Sequence, residues 1–248
     1  VINGRKWFTS NGERAAWALV MCRTEEADSK GGVNGKMTQI IVPTDTPGFK
    51  IERSVPVWGH TGGSHCEITY KNVRVPLENA LGSRGTGHAA AQDRLGAGRV
   101  YHCMNCVGQM WRAFDLMVKR AAERQVHGGV LEDKQFTQGA IADSYMDIQA
   151  ARLMTIHCAE VIDSGQDART EISAIKVFVP NAMHRVVDRA IQIHGAMGVS
   201  GDTPLAGMYL GARTLRIADG PDEVHRILIA KNVMKRYHDG MTWDFGIL

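Results

Sequence analysis

The chain has 248 residues, 44% of them hydrophobic and 22% charged. That composition can bury one large core or two small ones and excludes a disordered or fibrous polypeptide. Its 29 Lys and Arg are interspersed with 26 Asp and Glu for a net charge of +3, so no basic stripe marks a nucleic-acid surface, while local phosphate sites stay open.

Residues 1–88 read as a small antiparallel β domain. Ala16 to Cys22, Thr38 to Val42 and Ile68 to Val75 are short segments rich in Val, Ile, Thr and Tyr, punctuated by Gly31-Gly32, Pro47-Gly48 and Gly62-Gly63. The opening residues Val1-Ile2-Asn3-Gly4 carry neither a basic start nor a signal-type apolar core. They enter in mid-motif and without Met, which suggests that strands closing the sheet precede them.

From about Gln92 the period becomes helical, and residues 89–248 read as an antiparallel four- or five-helix bundle. Val100, Met104, Val107, Trp111, Phe114, Val118 and Ala121 alternate in steps of four and three and predict one buried helix face. A second helix is predicted from Lys134 to Ser164. A third carries Ile172, Ile175, Val179, Ala182, Val186, Ala190 and Ile193, with a bend at Pro180 and an end at Gly195. Shorter helices follow from about Pro204 to Ile217 and from Pro221 to about Tyr237. The fold class is thus α+β, with no apolar run near the ~18 residues of a membrane helix.

Five Cys in no regular spacing fit a reducing compartment. Cys103 and Cys106, preceded by His102, form a CxxC, but no second ligand pair at comparable spacing supports zinc, and the plain reading is two small helix residues. No metal site is expected. Ala218-Asp219-Gly220-Pro221-Asp222-Glu223 is a loop turning into a helix start, so Asp219 fits either a helix cap or a carboxylate held in a tight turn and able to act as a general base. Gln192-Ile193-His194-Gly195-Ala196 is a helix end running into small residues, open to a C-cap or to close backbone approach by a ligand. His194 has no Ser or carboxylate partner at recognisable spacing and reads as a packing or surface residue. Trp7-Phe8-Thr9-Ser10-Asn11-Gly12 is a hairpin end, or aromatic rings beside hydroxyls suited to a planar heteroaromatic ring.

Taken in order, these features resemble the acyl-CoA dehydrogenase family. Ile2-Asn3-Gly4-Arg5-Lys6-Trp7-Phe8-Thr9-Ser10-Asn11-Gly12 is similar to its I-N-G-x-K-x-W-I-T-N-G segment. Tyr70 to Pro76 resembles F-E-D-V-R-V-P, Glu123 to Gly128 resembles E-R-x-x-F-G with His127 at the aromatic position, and Gln135 follows at the family's glutamine. Gln192 to Ala196 resembles Q-I-x-G-G with Ala196 at the second Gly, and Ile217-Ala218-Asp219-Gly220 lies where most members have I-Y-E-G. The stretch from Ala218 to His225, with Gly96 to Met104, is most similar to the subgroup of family members 10 and 11, where Asp at this place is usual.

The resemblance implies FAD-dependent α,β-dehydrogenation of an acyl-CoA thioester, with Asp219 as the base that removes the α proton and hydride passing to flavin N5. It places Phe8, Thr9 and Ser10 against the flavin, Phe8 covering the ring. Arg124, Gln135, Gln192, Ile193, His194, Gly195 and Ala196 fall on the diphosphate and adenosine of a neighbouring subunit's cofactor, and Pro221 and Glu223 join the cofactor set. Arg99 falls on the arginine used for substrate CoA, with Gly220 beside the substrate. It further implies a homodimer or homotetramer, an electron-transferring flavoprotein or similar acceptor, and an N-terminal helical domain that this chain does not include. The compartment expected is cytoplasmic in a bacterium and mitochondrial or peroxisomal in a eukaryote. The rival readings are a nitroalkane-oxidase-like flavoprotein of the same superfamily and a helical scaffold without cofactor.

Overall fold

Six strands alternate between apolar and polar residues and pair into two antiparallel sheets: β1 (Ile2–Ser10), β2 (Trp17–Arg23), β3 (Met37–Pro43), β4 (Phe49–Ser54), β5 (His65–Val73) and β6 (Ala80–Leu81). One sheet has the order β1-β5-β4 and the other β2-β3-β6. The computed structural model describes residues 1–24, 36–59 and 65–241. The turns expected at Gly31-Gly32 and Gly62-Gly63 lie outside the described residues.

Cys66, Ile68 and Tyr70 alternate on β5 and point one way, as the period of two dictates. They join Val73 with Val20 of β2 and Val42 of β3 in one buried cluster, so the two sheets share a core. Each fully buried aliphatic side chain there contributes about 1.5–3 kcal/mol. β2 and β3 keep an unbroken register from Trp17 opposite Pro43 to Arg23 opposite Met37. β1 does not: its pairing with β5 shifts between Lys6 and Thr9, and Phe8 takes a φ of 60° inside that irregularity. A bulge of this kind re-aims a side chain that a regular strand would point elsewhere.

The chain divides into two compact units, Val1–Arg94 and Leu95–Leu248. The second is built from α1 (Gly87–Glu123, whose first turns belong to the first unit), α2 (Gln135–Asp163), α3 (Arg169–His194), α4 (Ala196–Val199), α5 (Leu205–Leu215) and α6 (Asp222–His238). A hairpin of β7 (Gln125–Val126) and β8 (Gly129–Val130) links α1 to α2, and His127 and Gly128 at its tip both have positive φ, 31° and 78°, as a type I′ turn requires. α3 is the central helix, packed on α2, α5 and α6. It runs unbroken through Pro180, which is buried, and ends at Gly195 with φ 64°.

The buried face of α1 differs from the predicted stripe. Val107 and Ala121 are buried as expected, but Met104 and Val118 are exposed, and the core is formed by Cys103, Cys106, Met110, Ala113 and Met117. Apolar residues occur on two adjacent stripes of this helix. The helical period is compatible with either stripe.

Candidate active site

The segment from Arg216 to Pro221 joins α5 to α6, and its closure is specified twice by one pair. The N–H of Asp222 donates to the carbonyl of Arg216 at 3.2 Å, and Nε of Arg216 donates back to Oδ2 of Asp222 at 3.0 Å. Nδ2 of Asn181 on α3 donates to the same Oδ2 at 2.9 Å. Asp222 is buried, and two donors on one oxygen compensate the cost of holding its charge inside.

Asp219 stands at the apex of this loop in a left-handed conformation, φ 55°, followed by Gly220 at φ 104°. Two non-standard φ values in succession turn the chain sharply and hold the carboxylate away from α6. The capping alternative is therefore overturned: the residue before α6 is Pro221, the helix start has no side-chain cap, and Asp219 makes no cap bond. Pro221 sits one residue earlier than the first helical position expected of it.

The backbone of the loop is gripped from beneath. Nε of Arg99 on α1 donates to the carbonyl of Asp219 at 3.0 Å, and Nε2 of His225 on α6 approaches the same oxygen at 3.3 Å. A carbonyl only accepts, so Nε2 carries the proton and Nδ1 of His225 accepts from the Ser173 hydroxyl at 3.1 Å. Burial lowers the pKa of His225, and the Arg99 and Lys176 charges add to that, against the Asp219 carbonyl and Asp222. Lys176, a fully buried lysine on α3, donates Nζ to the carbonyl of Leu215 and reaches that of Gly220 at 3.5 Å. Burial lowers its pKa, opposed by Cys103, Asp219 and Asp222. The carboxylate of Asp219 itself is 30% exposed, with Oδ2 3.4 Å from Nε2 of His102.

A second feature of the helical unit is a cleft of about 460 Å³ lined by Arg120, Arg124, Val126, Leu131 and the backbone run from Gln192 to Met197. It brings Arg124 together with Gln192, Ile193, His194, Gly195 and Ala196. Nε of Arg120 is buried there with no partner among the described residues, so an anionic group in the cleft would meet an unsatisfied donor. His194 is mostly buried, its Nδ1 donating to the Ala190 carbonyl at 2.8 Å. Gln135, the first residue of α2, and Glu223, in the first turn of α6, are exposed and do not line this cleft.

In the β unit Phe8 is half-exposed, its ring 4.8 Å from Trp7 and 5.0 Å from His65. Ser10 Oγ is 3.0 Å from Nδ1 of the same His65, and Thr9 lies between them, partly buried. A cleft of about 830 Å³ in this unit, between the strands near Lys6, Met21 and Ile40, contains none of the predicted site residues. Its lining combines apolar side chains with Arg5, Lys6, Arg23 and Arg84.

His65 and His102 were not selected in the sequence, since only tertiary folding brings them to Phe8 and Asp219, and His225 and Arg216, though near Asp219 in the chain, were not singled out either. Lys176 did carry a signal: it falls four residues after Ile172 and three before Val179, on the core face of its helix, where a lysine is out of pattern. Cys103 and Cys106 are buried thiols on α1, and no described residues form a group able to hold a metal ion.

The fold and the loop at Asp219 define a two-unit α+β protein of the acyl-CoA dehydrogenase type. Residues 1–73 match the acyl-CoA dehydrogenase middle domain and residues 85–234 the acyl-CoA dehydrogenase C-terminal domain, and the chain belongs to that family. It is 46% identical over 241 residues to the probable acyl-CoA dehydrogenase FadE2 of Mycobacterium tuberculosis, covering 95% of this chain and 58% of that protein. Acyl-CoA dehydrogenase family member 11 of Gallus gallus is 41% identical over 238 residues, covering 93% of this chain and 30% of the relative. Among solved structures, a putative acyl-CoA dehydrogenase from Mycobacterium abscessus superposes with a TM-score of 0.87 at 36% identity, over 95% of this chain and 58% of the other. The chain thus spans between 30% and 58% of the length of these relatives.

Proposed function

We propose that the protein catalyses α,β-dehydrogenation of an acyl-CoA thioester with FAD as hydride acceptor and Asp219 as the base. The observation that carries this reading is Asp219 itself: a part-exposed carboxylate at φ 55° whose carbonyl is clamped by Arg99 and His225. A clamped backbone with a free-facing carboxylate is what proton abstraction from carbon needs, since a misplacement of about 1 Å costs ~10²-fold.

FAD, when bound, accepts the β hydride and supplies the redox chemistry. Phe8, Thr9 and Ser10 would hold its ring side, the Phe8 face stacking and the Ser10 hydroxyl donating. Arg124, with Arg120 and the backbone from Gln192 to Ala196, would hold the diphosphate and adenosine of a neighbouring subunit's FAD, and the unpartnered Nε of Arg120 fits an anionic guest. Asp219 takes the α proton on its carboxylate. Its own N–H, which donates to no backbone carbonyl of the described residues, is available to the thioester carbonyl and would stabilise the charge that develops there. Arg99 holds the base in place through the Asp219 carbonyl. The protein acts in this reading as a homodimer or homotetramer, and an electron-transferring flavoprotein or similar acceptor reoxidises it.

The test is anaerobic mixing of the FAD-loaded, full-length protein with a panel of acyl-CoAs while the visible flavin absorbance is followed. Bleaching by a panel member, lost in Asp219→Asn, supports the assignment. Bleaching by nitroalkanes and by no acyl-CoA, or turnover unchanged in Asp219→Asn, overturns it.

A further inference from the structure

Arg99 and His102 lie one turn apart on α1 and both address Asp219. Arg99 holds its carbonyl at 3.0 Å, and Nε2 of His102 stands 3.4 Å from its Oδ2. Residues three apart share a helix face, so one edge of α1 grips the backbone of the base and meets its carboxylate. The imidazole is 41% exposed while the neighbouring Cys103 is buried, so the ring stands on the open side of α1 beside the carboxylate. Tyr101 packs edge-on against it at 5.6 Å and limits its rotation. The separation of 3.4 Å exceeds an ideal hydrogen bond, as is common before substrate binds and tightens such contacts.

Resting on the dehydrogenase reading above, we infer that His102 is a positioning residue for Asp219 that fixes the carboxylate and relays the abstracted proton to solvent. The Cα–H bond breaks with its electron pair left on the substrate, and the proton goes to Oδ2 of Asp219. His102 then accepts it at Nε2 and releases a proton from Nδ1 to water, while the β hydride leaves to the flavin. Proton and hydride thus part company, and Asp219 returns to its anionic form for the next turnover. The shorter Asp fits this arrangement, because a Glu would carry its carboxylate one methylene past Nε2.

The charged and titratable groups around the pair are Arg99 on the same helix, Lys176 on α3, and His225 and Asp222 on α6. His102 meets a carboxylate oxygen of Asp219 directly, with Nε2 3.4 Å from Oδ2.

The experiment compares wild type, His102→Gln, His102→Asn and Asp219→Asn as FAD-loaded, full-length proteins with an acyl-CoA in D₂O. It follows flavin bleaching in a single turnover and deuterium entry at the substrate α carbon. Both His102 variants are expected to bleach more slowly than wild type, as loss of a contact that fixes the base requires, to exchange the α proton more slowly still, by about tenfold or more, and to recover exchange when imidazole is added. The pH profile of exchange should change shape in the variants. Exchange, profile and bleaching unchanged in both variants overturns the relay, as does a proportional loss of bleaching and exchange that imidazole does not rescue. Bleaching retained in Asp219→Asn, or absent from wild type with every acyl-CoA, fails the underlying reading instead and removes the relay with it.

Discussion

Gly220 lies against the imidazole of His225: a Cβ placed on it would stand 2.8 Å from Nε2. The nitrogen it would strike is the one that approaches the Asp219 carbonyl at 3.3 Å. The residue after the base is therefore restricted twice, by a φ of 104° and by the side chain that supports the base.

Gly220→Ala should accordingly fail in activity more than in folding. The expected loss is ~10²-fold in kcat/KM from displacement of Asp219, with a stability cost of about 1–3 kcal/mol for the strained backbone. Steady-state kinetics beside thermal unfolding of the same preparation separates the two effects. An alanine variant with wild-type kcat/KM would show that the loop tolerates the contact.

α2 and α3 are joined by Asp147, which receives a two-pronged contact from Arg185 and a bond from Nη1 of Arg189 at 2.8 Å. Burial opposes the charge on Asp147, and the two arginines outweigh it, so its carboxyl lies below the usual range. Asp147→Ala leaves two guanidinium groups facing each other and should cost about 2 kcal/mol, discounted from a fully buried pair because Arg185 is partly exposed. Urea unfolding reads this as a lower midpoint at unchanged slope.

Acid should weaken the bundle in two steps. Burial holds the pKa values of His184 and His225 below the ordinary 6.5, so the folded state binds their protons less readily than the unfolded chain does. Stability is then complete above 6.5 and falls as pH drops from there toward the folded values. Asp147, also lowered, adds its loss only below the ordinary 3.8. Urea midpoints taken between about pH 7.5 and about pH 5.5 should drop in wild type and drop less in a His184→Gln, His225→Gln double variant. Equal slopes in the two proteins would remove the histidines from the account.

The bundle thiols should be silent in the folded protein. Burial pushes Cys106 up to about 12 and Cys158 up to about 11, and Cys103 higher still. At about pH 8 the thiolate fraction of such groups is ~10⁻³ or less, and only the thiolate attacks a disulfide reagent. Labelling with such a reagent, located by mass spectrometry, should reach these three residues only in denaturant. Prompt native labelling at any of them would contradict their burial.

The two-part α+β architecture and the helix boundaries were legible because periods of two and of 3.6 are local properties. The loop from Ala218 to Glu223 was legible for the same reason, since Gly, Pro and two acidic residues in series announce a turn entering a helix. What Asp219 does within that turn was not local. Capping and catalysis call for the same residue type, and it is the Pro221 start of α6 with no side-chain cap that removes the cap. The face of α1 failed in its register because Met104 and Cys103, or Val118 and Met117, are equally apolar to a sequence count. His65 and His102 were invisible because each lies far along the chain from the residue it serves.

Lys176 also decides what kind of motion the base can undergo. A surface loop between two helices ordinarily opens alone, at little cost and without disturbing the helices it joins. Here the carbonyls of Leu215 and Gly220 can leave Nζ only by stranding an ammonium among the apolar side chains of α1 and α3. The loop and the bundle are in that sense a single cooperative unit. Its amides should exchange with solvent on the slow timescale of the core, and the Asp219 carboxylate keeps its place for as long as the bundle remains folded.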